Sequence, residues 1–319
     1  MPILFSDVTV VPMDGAPQVL EHAYVAVEGT KIASVGTEPP EGTFDRVVDG
    51  AGKVLLPGFV NAHTHLPMTL MRGYGGGCDL HTWLNQYIFP AEARLDSRAV
   101  AAGAGLGLAE MIASGVTCVA DMYMHTGTIA EQILEAGISA NLSCGGVYFG
   151  APEDFSPETC GDCRNQAALT EEWHGAGAGQ ILVDASVHGE YTSNPPLWRW
   201  MAEYAAEHRL GMHVHVSETQ SEHQASLERW GKTPIQALDG CGVWDCGRSL
   251  AAHCVYTTGE DWALMAEKGI SCVHNPWSNL KLGSGVAPIP AMMRAGVNVA
   301  LGTDGMSSHN SADLFSDIK

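Results

Sequence analysis

The sequence predicts a (β/α)8 TIM barrel preceded by a small N-terminal β-sandwich-like domain. Three observations carry this. Eight β-rich runs lie beyond residue 53, most of them followed by a helical pattern. The first 52 residues hold short β-rich runs and turns with no helical stretch between them. Histidines and acids gather at the C-terminal ends of the eight runs, where a barrel places its chemistry.

Composition narrows the class of function. The 319 residues suit one large domain with a small companion, and 45% apolar content supplies a sizeable core. A formal charge of −20 excludes a nucleic-acid partner, which needs basic surface, and suits a small neutral or cationic molecule. The start, Met1 to Asp7, has no basic segment ahead of an apolar one, and no run of about 18 apolar residues occurs, so neither secretion nor a membrane span is expected. Nine scattered cysteines suit reduced thiols in a cytoplasmic setting. Cys160 and Cys163 form the one close pair. Set among Pro, Gly and charged residues, they read as surface thiols in a loop.

The elements follow in order. Residues 3–5, 8–11, 24–27 and 32–35 are β-rich, and Glu28-Gly29-Thr30 is a turn signal between two of them. From Val54 the rhythm changes to eight candidate strands at 54–62, 116–121, 138–143, 181–187, 211–216, 249–253, 270–274 and 297–301. Helical patterns lie between them, for example over 98–113, 129–136, 197–207 and 261–267. A doubly wound open sheet is the alternative, but no Gly-x-Gly-x-x-Gly turn follows an early strand. The expected division is therefore residues 1–52 and 53–319.

The strand ends then supply a constellation. His63 and His65 end the first run, and a spacing of two puts both on one face of a strand. The fourth run ends in His188, the fifth in His213, His215 and Glu218, the sixth in His253, the seventh in His274 and Asn275, and the eighth in Asp304. His63, His65, His215 and Asp304 form a ligand set for one divalent ion, with zinc the first expectation and ferrous iron the second. His213 shares the parity of His215 but sits one layer deeper, as a hydrogen-bonded core residue or a support to a ligand. Glu218 lies three residues past His215, within reach of a water but not the ion, as a general acid/base must. His253 can stabilise an attacking hydroxide or an oxyanion. His22, His81, His174, His208, His223 and His309 fall elsewhere and are expected on surfaces or loops.

These residues resemble the amidohydrolase superfamily, and within it the 5-methylthioadenosine/S-adenosylhomocysteine deaminase group. The motifs are residues 57–65 around His63 and His65, 83–92 from Trp83 to Glu92, His213-Val-His215-Val-Ser-Glu218, Ala252-His253-Cys-Val, His274-Asn-Pro-Trp-Ser-Asn279-Leu-Lys281, and Gly302-Thr-Asp304-Gly. The resemblance implies that His63, His65, His215 and Asp304 hold the metal, that Glu218 shuttles the proton, and that His253 stands beside the water. It further implies that Glu92 holds ribose hydroxyls and that His188 contacts substrate. Trp83 either lines an apolar pocket or packs a helix. The fourth run carries no lysine, which within the superfamily implies one metal ion rather than two.

The implied reaction is hydrolytic deamination at C6 of an adenine nucleoside, such as 5'-methylthioadenosine, S-adenosylhomocysteine, 5'-deoxyadenosine or adenosine. Another aminohydrolase or chlorohydrolase of guanine or triazine type, and a non-catalytic metal-binding scaffold, are the alternatives. The third run ends Leu142-Ser143-Cys144-Gly145 without the arginine expected for a homocysteine carboxylate. The chain stops at Lys319, inside the expected helix after the eighth strand, so the last helix and the return strands of the β-domain are expected to be missing. Unpaired strand edges would then favour poor expression. A small-molecule substrate and a homo-oligomer complete the expectations.

Overall fold

Residues 1–15 and 18–319 are described by the computed structural model. Chain contacts divide them into two units, Met1–Gly58 and Phe59–Lys319.

The first unit is a five-stranded sheet. Its strands are β1 (Ile3–Val10), β2 (Leu20–Glu28), β3 (Lys31–Gly36), β4 (Arg46–Asp49) and β5 (Val54–Leu55). The order is β3-β2-β1-β4, with β5 also on β1. β1 pairs antiparallel with β2 and parallel with β4. The runs at 3–5 and 8–11 are one strand, not two. Its register shifts between Phe5 and Val8, where Asp7 has φ +55°, and such a bulge interrupts the alternation that periodicity reads. Val8, Val10, Ala23 and Val25 form its small core.

The second unit holds β6 (Phe59–His65), β7 (Val116–Met122), β8 (Ser139–Ser143), β9 (Ile181–Gly189), β10 (Gly211–Val216), β11 (Ser249–His253), β12 (Ile270–His274), β13 (Val299–Leu301) and β14 (Asp304–Gly305). Neighbouring strands from β6 to β13 pair in parallel and in sequence order. β13 pairs with β12 while β14 pairs with β6, and only Gly302 and Thr303 separate the two. They are one strand position interrupted in the middle, so the sheet closes on itself as a (β/α)8 barrel. The doubly wound alternative is thereby overturned. The first barrel strand begins at Phe59 rather than Val54, because Val54 and Leu55 pair with β1 instead.

Helices follow the strands, at Ser97–Ala113, Thr126–Ala136, Gly161–Trp173, Pro195–His208, Gln220–Trp230 and Gly259–Lys268 among others. Their starts are legible: Asp96, Thr219 and Thr258 accept hydrogen bonds from the first-turn N–H groups that a helix leaves unpaired. In the helix Pro195–His208 the buried positions are Leu197, Trp198, Met201, Ala202 and Ala205, one stripe at helical spacing. Each large side chain on it contributes about 1.5–3 kcal/mol by leaving water. Cys160 and Cys163 do not form the surface loop expected of them. They lie at the start of the helix Gly161–Trp173, buried in the core against β9 and β10. Three residues of spacing there is one helical turn.

Candidate metal centre and active-site cavity

β6 alternates Asn61, His63, His65 on one face, and β10 alternates His213 and His215. Parallel strands bring their C-terminal ends to the same end of the barrel, so these side chains meet there. His65 Nε2 lies 3.1 Å from Asp304 Oδ1, and His63 Nε2 lies 3.4 Å from the same oxygen. His215 Nε2 is 3.3 Å from His65 Nε2. Donor atoms of His63, His65 and Asp304 lie within 4.8 Å of one another, as do those of His63, His215 and His253.

The surroundings aim these atoms. His65 Nδ1–H donates to the Met122 carbonyl at 2.5 Å, and His215 Nδ1–H donates to the His188 carbonyl at 2.7 Å. Carbonyls only accept, so in the neutral form of each ring the proton sits on Nδ1 and Nε2 is bare. Asp304 Oδ2 accepts from Ser278 Oγ at 2.5 Å and Ser308 Oγ at 3.1 Å, which leaves Oδ1 for the histidines. His63 Nε2 is buried with no hydrogen-bond partner. Lone pairs of three imidazoles and one carboxylate thus face one point from which water is largely excluded. Two bare nitrogens 3.3 Å apart repel unless a cation stands between them, so the residues fit a divalent metal ion. Where no ion stands between them, Asp304 favours a proton on the His65 ring instead, and that proton would have to leave for a metal to bind. Burial pulls His65 down, yet the Asp304 carboxylate and the Met122 carbonyl outweigh it and raise the ring to about 9. Burial pushes Asp304 up, yet His63 and His65 hold it well below the usual carboxylate range. For His63, burial together with the neighbouring His65 and His253 outweighs the pull of Asp304, and the ring falls to about 4.

Beside this cluster stand a carboxylate and an imidazole. Glu218 Oε2 is 3.7 Å from His253 Nε2, and Glu218 Oε1 accepts from Ser284 Oγ at 3.1 Å. Burial pushes the Glu218 carboxyl above its ordinary value, with His253 pulling it back. Asn279 Oδ1 accepts from His253 Nδ1–H at 2.8 Å and directs the other nitrogen toward Glu218. Glu222 holds the turn itself, accepting from Ser217 N and Glu218 N at 2.7 Å each. Ser217, His253, Cys254 and Asp304 all have positive φ, at +53°, +74°, +51° and +60°. Such conformations are uncommon outside glycine. Here they turn the strand ends so that Glu218, His253 and Asp304 reach one space.

That space is a cavity of about 500 Å³ lined by His65, His188, His215, Glu218, His253 and Asp304 on one wall. Trp83, Leu84, Ile88, Glu92, Tyr123 and Phe149 line it elsewhere. Glu92 is buried, and its carboxyl is pushed up by that burial against the pull of Tyr123 and His65. His188 lies in the wall with Nδ1 3.0 Å from Thr192 Oγ1, and burial lowers it to about 4. Trp83 both lines the cavity and packs the apolar core, its indole N–H donating to the Tyr74 carbonyl at 3.1 Å.

Two expectations need correction. His274 is absent from the cavity lining, because it keeps the strand face of Ile270 and Cys272, which pack in the core against the helices, and lacks the positive φ that turns His253 inward from the same face. His309 is not a surface residue. It is buried, with Nε2–H donating to Asp317 Oδ2 at 2.8 Å. Of the supporting groups, Ser278 and Asn279 stand in a motif that carries the resemblance but had no role attached, and Ser308, Glu222 and Ser284 were not singled out from sequence. Ser278 and Asn279 stand directly after β12, and position past a barrel strand end was a usable signal for them.

The sequence model of the Amidohydrolase family matches residues 54–319. A 5-methylthioadenosine/S-adenosylhomocysteine deaminase of Syntrophomonas wolfei is 37% identical over 320 residues, spanning 100% of this chain and 73% of the relative. A 5'-deoxyadenosine deaminase of Methanothermobacter thermautotrophicus is 41% identical over 302 residues, covering 94% of this chain and 69% of the relative. The crystal structure of an adenosine deaminase from Xanthomonas campestris with bound zinc superposes with a TM-score of 0.90 at 34% identity, over 98% of this chain and 71% of that one.

Proposed function

We propose a function from one premise: this chain belongs to the amidohydrolase family. It is a hydrolase that breaks C–N bonds of cyclic amidines, a metal-dependent deaminase of adenine nucleosides with 5'-methylthioadenosine, S-adenosylhomocysteine, 5'-deoxyadenosine and adenosine as the substrate class. The observation that carries this is the meeting of His65, His215, Asp304, Glu218 and His253 on one wall of a nucleoside-sized cavity, with the buried His63 directly behind them.

His63, His65, His215 and Asp304 would hold a single ion, zinc first and ferrous iron second. Such an ion supplies Lewis acidity and lowers the pKa of a water in the site toward neutrality. The chain's own groups do the rest. Glu218 takes a proton from the attacking water and delivers it to ring N1 as the new C–O bond forms at C6. His253, whose Nδ1–H is committed to Asn279, keeps Nε2 bare as an acceptor that orients the attacking water through one of its protons. Asp304 orients the water, its second oxygen being occupied by two serines. The proton remaining on the C6 hydroxyl then passes through Glu218 to the amino group, the C6–N bond breaks as C6=O forms, and ammonia and the inosine analogue leave. Glu92, His188 and Trp83 line the cavity, which supports a role for Glu92 in holding ribose hydroxyls, for His188 in contacting the substrate and for Trp83 as an apolar wall. Among the described residues, no helix is long and apolar enough to cross a membrane; a cytoplasmic location is part of this reading.

The test is turnover by metal-loaded protein across adenosine, 5'-deoxyadenosine, 5'-methylthioadenosine, S-adenosylhomocysteine, guanine and a triazine, read by ammonia release and the loss of adenine absorbance. Turnover confined to adenine nucleosides is expected. No turnover of any of them would overturn the proposal.

A further inference from the structure

We propose that His213 is a positioning residue for the metal centre: it sets which nitrogen of His63 carries the proton, through a hydrogen-bond chain whose direction is decided at a distant backbone carbonyl. The inference rests on the reading of His63 as a metal ligand.

His63 Nδ1 and His213 Nε2 lie 2.9 Å apart, and both rings are buried. Either could donate, so the pair alone leaves the tautomers undecided. The decision comes from further along. Ser143 Oγ lies 3.3 Å from the Asp121 carbonyl, which can only accept, so the hydroxyl proton points there. The same Oγ is 3.4 Å from His213 Nδ1 and, its proton spent, accepts from it. His213 is then protonated on Nδ1 and bare on Nε2. His63 must donate from Nδ1, which leaves the lone pair on its Nε2, the atom directed at Asp304. Four strands contribute: β7, β8, β10 and β6.

The other ligand histidines need no such help. His65 and His215 donate to the Met122 and His188 carbonyls, acceptors that no side-chain substitution removes. His63 alone depends on a side chain to be held in the ligating form. Outer partners of this kind change metal affinity by about 10–100-fold when removed. A residue that merely fills core would change it little.

The experiment measures the zinc dissociation constant, by competition with a chromophoric chelator, for the parent, His213→Leu, His213→Gln, Ser143→Ala and Ser143→Thr. Glutamine places a carbonyl oxygen near the position of the lost Nε2, whereas leucine fills the space without an acceptor. Leucine should weaken zinc binding by about 10–100-fold, and glutamine should restore most of it. Melting of the metal-stripped proteins reports folding separately. If the leucine variant does not fold, the serine pair decides: alanine weakens zinc binding and threonine, which keeps the hydroxyl, does not. Parent-like zinc affinity in His213→Leu, equal losses in leucine and glutamine, or equal affinity in Ser143→Ala and Ser143→Thr would overturn the inference. A parent that itself fails to bind zinc would overturn the metal-centre reading along with it, an outcome distinct from the others.

Discussion

Replacing Gly302 by alanine perturbs the centre by a single methyl group. A Cβ built there would stand 2.5 Å from Asn275 Oδ1, 2.8 Å from the His63 carbonyl oxygen and 2.9 Å from His63 Cβ. Gly302 is not in the left-handed region, so alanine suits its backbone and the whole cost is steric. Losing glycine even favours folding by about 0.4–1 kcal/mol through the unfolded chain. Against this stands overpacking, typically about 1–3 kcal/mol. The Asn275 side chain can yield, but the His63 contacts are backbone and Cβ of the strand that carries two ligands. Relief to ordinary contact distances near 3.5 Å needs a displacement of several tenths of an ångström at His63. A misplacement of about 1 Å can cost about 100-fold in rate. We therefore expect a net destabilisation of about 0–2.5 kcal/mol, with kcat/KM reduced by roughly 10–100-fold. Thermal melts and adenosine deamination rates would be compared with Gly161→Ala, where no atom lies within 4 Å and little change is expected. Parent-like turnover by Gly302→Ala would refute the argument that the interrupted strand β13–β14 seats His63.

Glu218→Gln should reduce kcat by at least about 100-fold while leaving bound metal, measured by elemental analysis, at the parent level. Ser278→Ala frees one of two hydroxyls from Asp304 Oδ2, so zinc affinity should fall by about 10-fold in a chelator competition, and Ser278→Ala with Ser308→Ala should lower it further. Glu222 is pushed up to about 8 by burial, against the pull of two backbone N–H groups. Its folded value exceeds the unfolded one, so the protonated carboxyl's contribution is complete below about pH 4.5 and is lost as pH rises toward 8. Glu222→Gln lacks this titration. Its melting temperature, lower at the outset for want of an acceptor, should therefore approach the parent's between pH 5 and 8, and a constant difference would count against the shift.

The barrel was legible because its rule is local. Each strand reads as a β-rich run and each helix as a stripe with a cap. Chemistry must also fall at strand ends, which is how His63, His65, His215, Glu218 and Asp304 could be picked from sequence. Parity alone also placed His213 one layer beneath His215. Parity alone does not sort the remaining histidines: His253 and His274 both stand on the face opposite His215 by register, and only the positive φ of His253 turns it into the cavity. His309 looked like a loop residue because its partner, Asp317, lies on the following short helix and only folding brings them together.

By itself, then, the sequence determined which residue types could make a metal-dependent deaminase and at which end of the barrel they would gather. Periodicity and spacing are properties of neighbours along the chain. The tertiary structure alone decided how those groups are aimed. The serines on Asp304, the asparagine on His253 and the carbonyls on His65 and His215 come from other strands and loops. A hydrogen-bond direction is set by what the partner can accept, and the partner is known only once the barrel has closed.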